Sequence, residues 1–206
     1  MFGAHLDGPN VGAGINSDAT GIAALLELAR VAADCAPDRT LGFSVWGTTG
    51  RNGPWGSGLY LAGLDSSERG RIHSYFDLEM LGSPNYAVFV HDGDGSFYGL
   101  PGPPVSADIE RFFVADMLLQ GLPVVEDLSS GNDTFSFLLN DIATGALTTY
   151  RSGEKTPEEA ALFGGTAGES YDPCFRAECD TVAGIDLDIT ETLAKSYARA
   201  AQFFGI

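Results

Sequence analysis

The sequence predicts an α/β fold, a twisted and mostly parallel mixed sheet sandwiched by helices, formed as a single domain over residues 1–206. Two observations carry that expectation. Short apolar runs bounded by turn residues alternate with stretches of helical spacing, and strand-helix-strand order favours a parallel sheet covered on both faces. The chain also has no internal repeat and no linker, and 206 residues with 44% apolar composition are enough to bury a sizeable core.

The elements follow in order. FGAHL, residues 2–6, and TLGFSVW, residues 40–46, read as buried strands. Between them Ile22, Leu25, Leu26, Leu28 and Val31 fall at helical spacing, with Ser17 or Asp18 placed to cap the helix. Residues 72–81 and 86–91 read as two further strands. After the Pro-rich turn at 101–104, an amphipathic helix is expected to start near Ser106. DTFSFLLN, residues 133–140, reads as helix and IATGAL, residues 142–147, as a short strand. A C-terminal helix over 188–204 places Leu193, Tyr197 and Ala200 or Ala201 on one face. Residues 47–58 and 151–173 read as surface loops, where function tends to sit.

Charge and composition exclude several classes. A net charge of −17 argues against nucleic acid and anionic membranes as partners, because phosphate binding relies on clustered Lys and Arg. No apolar run has the length of a membrane span, and MFGAHLDG lacks the features of a signal peptide, so the chain as written is expected to be cytoplasmic. Three cysteines do not make a disulfide scaffold, and no further thiols or histidines lie near them for a zinc site. Asp92 and Asp94 in HDGDG are of calcium-chelating type but read as solvated turn formers, and His73 and His91 as ordinary strand positions.

Four stretches carry a resemblance. GAHLD followed by GAGIN, then FSVWG, then YFDLEMLGSPN, then GGTAGESYDPCFRAECDT agree in order and spacing with one family over nearly the whole chain. The chain resembles the two-zinc aminopeptidases of metallopeptidase family 28, secreted bacterial enzymes related to glutaminyl cyclases. That resemblance implies the zinc-aminopeptidase form of the fold, with the site at the carboxyl ends of the strands. It also implies five zinc ligands, two His and three carboxylates, with a Glu general base.

Matched position by position, His5 keeps the first ligand and Asp7 the carboxylate that orients it. Ser17 stands at the bridging Asp, with Asp18 beside it, and the Glu-Glu pair falls on Thr49 and Gly50. Glu79 holds the next Asp place; Phe175 and Arg176 stand where a Tyr and the last His would be. Arg176 cannot deprotonate to bind a metal, so no zinc and no other cofactor is expected. The expectation is instead a metal-free pocket in which Arg176 pairs with Glu79. His5, Asp7, Ser17 and Glu79 are its candidate catalytic residues, with Asp18, Thr49, Asp133, Phe175 and Arg176 lining the substrate pocket. In SGNDTFSF the resemblance keeps Asp133, while Gly131 replaces an arginine. The matching cysteines are bridged in the family, which makes Cys174 and Cys179 a disulfide candidate.

The resemblance leaves three functional readings. The first is a scaffold repurposed to bind or act on a small amide-like or peptidyl molecule. The second is a non-catalytic partner subunit, and the third an aminopeptidase with an unusual mononuclear site. Family members carry a segment before GAHLD, so a bare sheet edge covered by a second copy or a partner chain is also expected.

Overall fold

Six strands, β1 (Phe2–His5), β2 (Phe43–Trp46), β3 (Ser74–Leu78), β4 (Phe89–His91), β5 (Val125–Asp127) and β6 (Ala143–Thr148), form one sheet in the computed structural model. The structure describes residues 1–9, 11–34, 40–47, 56–127 and 132–205. The strand order is β2-β1-β3-β6-β4-β5. All neighbouring pairs are parallel except β4 with β6, where Phe89 faces Thr148 and Val90 faces Leu147. The carboxyl ends of β1, β2, β3 and β6 therefore share one edge, and that of β4 lies at the other.

Among the described residues seven α-helices flank the sheet: α1 (Thr20–Ala33), α2 (Gly56–Gly63), α3 (Ser66–Arg69), α4 (Pro104–Leu119), α5 (Asn132–Leu138), α6 (Pro157–Phe163) and α7 (Leu187–Phe204). Period-two alternation sorts the strand side chains between two layers. Phe2, Ala4, Phe76, Leu78, Val90 and Leu147 join Leu25 and Leu28 of α1, Ile109, Phe113 and Met117 of α4, and Leu193 and Tyr197 of α7 in the larger core. Each fully buried Val, Leu, Ile, Phe or Met side chain among them contributes roughly 1.5–3 kcal/mol of transfer free energy. On the opposite face Trp46 and Tyr75 pack with Leu61 of α2 and Phe137 of α5, and the Tyr75 and Phe137 rings stack at 3.8 Å.

Local chemistry adjusts several boundaries. The strand expected over 72–81 ends at Leu78, because the chain turns out of the sheet at Met80, which has a φ of 49°. Met80 then exchanges ladder bonds for loop bonds, donating its N–H to the Asp18 carboxylate and accepting from the Thr149 N–H. Helix α4 starts at Pro104, earlier than Ser106, since proline's fixed φ suits a first helical turn where its missing N–H costs nothing. Helix α6 lies inside the stretch read as loop and is started by a capping box between Thr156 and Glu159. Neither Ser17 nor Asp18 is the cap residue of α1, which begins after Ala19, yet Asp18 Oδ1 still accepts the Gly21 N–H at 3.1 Å.

Candidate active site

His5 ends β1 and Glu79 follows β3, so two adjacent parallel strands deliver both to the same edge of the sheet. His5 is 7% exposed, and its Nδ1 lies 2.8 Å from the backbone carbonyl of Asp7. The carbonyl, rather than the Asp7 carboxylate 3.7 Å away, therefore orients the ring. With Nδ1–H donated there, Nε2 faces Glu79 Oε1 at 3.5 Å. Burial opposes a charged ring, but the Glu79 hydrogen bond and the charges of Asp18 and Glu79 outweigh it, and the His5 pKa is pushed up to about 10. His5 is an imidazolium at neutral pH.

Acidic groups surround that one cation. Asp18 is fully buried, and its Oδ1 accepts the Met80 N–H at 2.9 Å and the Gly21 N–H. Its Oδ2 has no hydrogen-bond partner, and burial raises its carboxyl well above the usual range. Gly21 is required here, since a Cβ would overlap the Leu78 carbonyl oxygen and stand 2.5 Å from the Asp18 carboxylate. Asp133, in the first turn of α5, is pushed up to about 6 by burial and the Glu79 charge, against the Ser57 hydroxyl.

Sequence reasoning missed Asp77. It shares a strand face with Glu79, and an Asp-x-Glu pair inside an apolar run was the available signal. The Asp77 Oδ1 accepts from the Tyr75 hydroxyl at 3.0 Å and Oδ2 from Thr134 at 2.9 Å, while Trp46 Nε1 donates to Tyr75 at 3.0 Å. Burial, then the Asp133 charge, raises its carboxyl.

Asn16 was also missed, and it joins the loops that frame the site. Its N–H donates to Asp180 at 2.8 Å, and its amide nitrogen donates to Asp172 at 2.8 Å and Ser83 at 3.0 Å. Its amide oxygen accepts the Gly82 N–H at 3.0 Å. This single buried side chain connects the turn carrying Ser17, the segment after Glu79 and the loop carrying Phe175 and Arg176. Cys174 and Cys179 are joined by a disulfide in that last loop.

The remaining expected residues divide. Ser17 is buried, next to a cis peptide bond with Asp18, and among the described residues no hydrogen bond links it to His5. Arg176 does not pair with Glu79: it is exposed, adopts a φ of 57°, and lays its guanidinium 4.9 Å from the centre of the Phe175 ring. Phe175 in turn contacts Tyr150 at 4.5 Å. The left-handed turn carries the arginine outward, and the cation beside Glu79 is His5. Thr49, Gly50 and Gly131 lie outside the described residues.

These residues do not fit a two-zinc centre. Ser17 offers a neutral hydroxyl for a bridging carboxylate, Gly50 no side chain, and Arg176 a permanent cation. Nor does Asp18 replace the bridge, since among the described residues His5, Asp18 and Glu79 do not bring one ligand atom each to within 4.8 Å of one another. What the arrangement provides is a donor and an acceptor side by side at the strand ends, His5 Nε2–H and the Glu79 carboxylate, with the imidazole buried and the carboxylate partly exposed.

Comparison with known proteins agrees with the fold. The sequence pattern of Peptidase family M28 matches residues 1–201. An aminopeptidase of Pseudomonas aeruginosa is 42% identical over 207 residues, covering 100% of this chain and 38% of its own length. Leucine aminopeptidase 2 of Trichophyton rubrum is 36% identical over 203 residues, covering 97% of this chain and 41% of its own. The chain thus spans well under half the length of these relatives. Among solved structures, a zinc aminopeptidase from Bacillus subtilis superposes with a TM-score of 0.76 at 19% identity, covering 98% of this chain and 45% of its own. Tannerella forsythia glutaminyl cyclase gives a TM-score of 0.62 at 14% identity, with 98% and 72% covered. With the matched pattern running from the first strand into the last helix, the chain belongs to peptidase family M28.

Proposed function

We propose that this domain is an M28 scaffold whose two-zinc centre has been dismantled, leaving a metal-free pocket that binds or acts on a small amide-like or peptidyl molecule. The observation that carries the reading is the His5–Glu79 pair at 3.5 Å. A peptide amide presents one carbonyl acceptor and one N–H donor, and a protonated imidazole beside a carboxylate is complementary to both. The imidazolium is also the proton source in this pocket, with Glu79 positioned to hold or receive that proton.

One observation favours a second reading. Two ligands of a tetrahedral zinc, each about 2.0–2.1 Å from the metal, stand about 3.4 Å apart. The His5–Glu79 separation of 3.5 Å is close to that, and the Asp7 carbonyl fixes the tautomer that leaves Nε2 facing the site. A mononuclear site in a zinc-dependent aminopeptidase would begin from this pair.

Calorimetric titration with a blocked dipeptide amide at pH 7, in excess EDTA, separates the two. The metal-free reading predicts saturable binding in EDTA, weakened about tenfold or more by His5→Gln. Binding that appears only when zinc is supplied would refute it and favour the mononuclear site.

A further inference from the structure

Asp92 follows β4, whose antiparallel pairing with β6 puts it at the opposite edge of the sheet from His5 and Glu79. The turn Asp92-Gly93-Asp94-Gly95-Ser96 reads in the sequence as solvated, but Asp92 is 0% exposed. Its Oδ2 accepts the Tyr98 N–H at 2.8 Å and the Phe97 N–H at 3.3 Å. Its Oδ1 is equally buried and has no hydrogen-bond partner. Glu110 of α4, 5% exposed, reaches the same turn and accepts the Gly93 and Asp94 N–H groups at 2.8 and 2.9 Å. Asp94 is exposed and accepts the Ser96 N–H at 2.8 Å.

One carboxylate oxygen from each of Asp92, Asp94 and Glu110 lies within 4.8 Å of the others. Oxygens across a calcium ion at 2.3–2.6 Å stand at most about 4.6–5.2 Å apart, so the three fit around one ion. Among the described residues none of the three carboxylates forms an ion pair with Lys or Arg; Arg111, next to Glu110, pairs with Asp108 at 2.6 Å, and its charge reaches only the exposed Asp94. Backbone N–H groups position these carboxylates without supplying a full charge, and buried carboxylates gathered without a cation are costly.

We propose that Asp92, Asp94 and Glu110 bind one calcium ion, at a site separate from the candidate active site. The all-oxygen donor set excludes a preference for zinc, which favours nitrogen and sulfur. A Gly-rich turn suits the variable coordination of calcium better than the strict octahedron of magnesium. The bound ion fastens the turn after β4 to α4 and supplies the charge that the buried Asp92 oxygen lacks.

The test is calorimetry and thermal unfolding of the whole chain, freed of metal with EDTA, exchanged into about 100 mM KCl and titrated with CaCl2. One site with a Kd of about 10⁻⁵–10⁻³ M is expected, weaker for MgCl2. At 10 mM CaCl2 the Tm should rise by about 3 °C or more over KCl of equal ionic strength. Asp94→Asn, at an exposed position where folding is undisturbed, should lose at least tenfold in affinity and most of the shift. Diffuse attraction of calcium to an acidic chain would act almost equally on wild type and variant. The absence of a saturable site, or equal affinities for wild type and Asp94→Asn, overturns the proposal.

Discussion

Replacing Glu79 by Gln tests the electrostatics of the candidate site, because it removes the carboxylate while keeping the shape. Unit charges 3.5 Å apart attract by about 5 kcal/mol at an effective dielectric constant of about 20. The cost of desolvating both groups takes back much of this, and a charge-assisted bond of this kind contributes about 2 kcal/mol net. For a chain of this size that is a Tm lower by roughly 4–8 °C at pH 7. The pH dependence adds a sign. The folded-state pKa of His5 is raised to about 10, so its contribution is complete below the unfolded value of about 6.5 and is lost as pH rises toward 10. The gap between wild type and Glu79→Gln should therefore be widest near pH 6–7 and shrink to less than half by pH 10. The assay is thermal unfolding in EDTA from pH 6 to 10.5, with His5→Gln and the double variant completing the cycle. A gap that does not change with pH, or that persists undiminished in the His5→Gln background, would show that the two groups are not coupled and refute the reasoning.

Two other substitutions follow from the geometry. Asn16→Ala strands the Gly82 N–H and takes a donor from Asp172, while the backbone N–H donated to Asp180 stays, so a loss of about 2–3 kcal/mol is expected by denaturant unfolding; a loss under about 1 kcal/mol would mean the loops are held independently of this side chain. Arg176→Ala removes only an exposed stack on Phe175, so stability should change by no more than about 0.5 kcal/mol; a much larger loss would restore the idea that this guanidinium compensates Glu79.

Much of this fold is legible because strand alternation and helix spacing are local properties. Phe2 and Ala4 face one core while His5 belongs to the other face, and that follows from a period of two. His5 and Glu79 were singled out by the matched motifs, which set one at the end of β1 and the other just after β3. Arg176 was not, since a motif places a residue on a loop without revealing the left-handed turn that carries it outward. Asp92 misled for a related reason: an acidic Gly-rich turn looks solvated until α4 folds Glu110 against it. Helix α6 had a readable signal in Thr156-Pro157-Glu158-Glu159, a capping box followed by apolar residues, which a loop reading of the long segment obscured. Asp133 and Asp77 come together only through the packing of α5 on β3, a contact that no local pattern specifies.

The central proposal is that the residues at the family's ligand positions do not assemble a two-zinc centre. Its most direct test is elemental analysis of the purified chain after mild dialysis, beside a parallel sample of His5→Ala and an assay of leucine p-nitroanilide hydrolysis. The account predicts well under one zinc per chain, the same in both proteins, and no aminopeptidase turnover on added zinc. One or two zinc ions per chain, lost on His5→Ala and accompanied by hydrolysis, would contradict it.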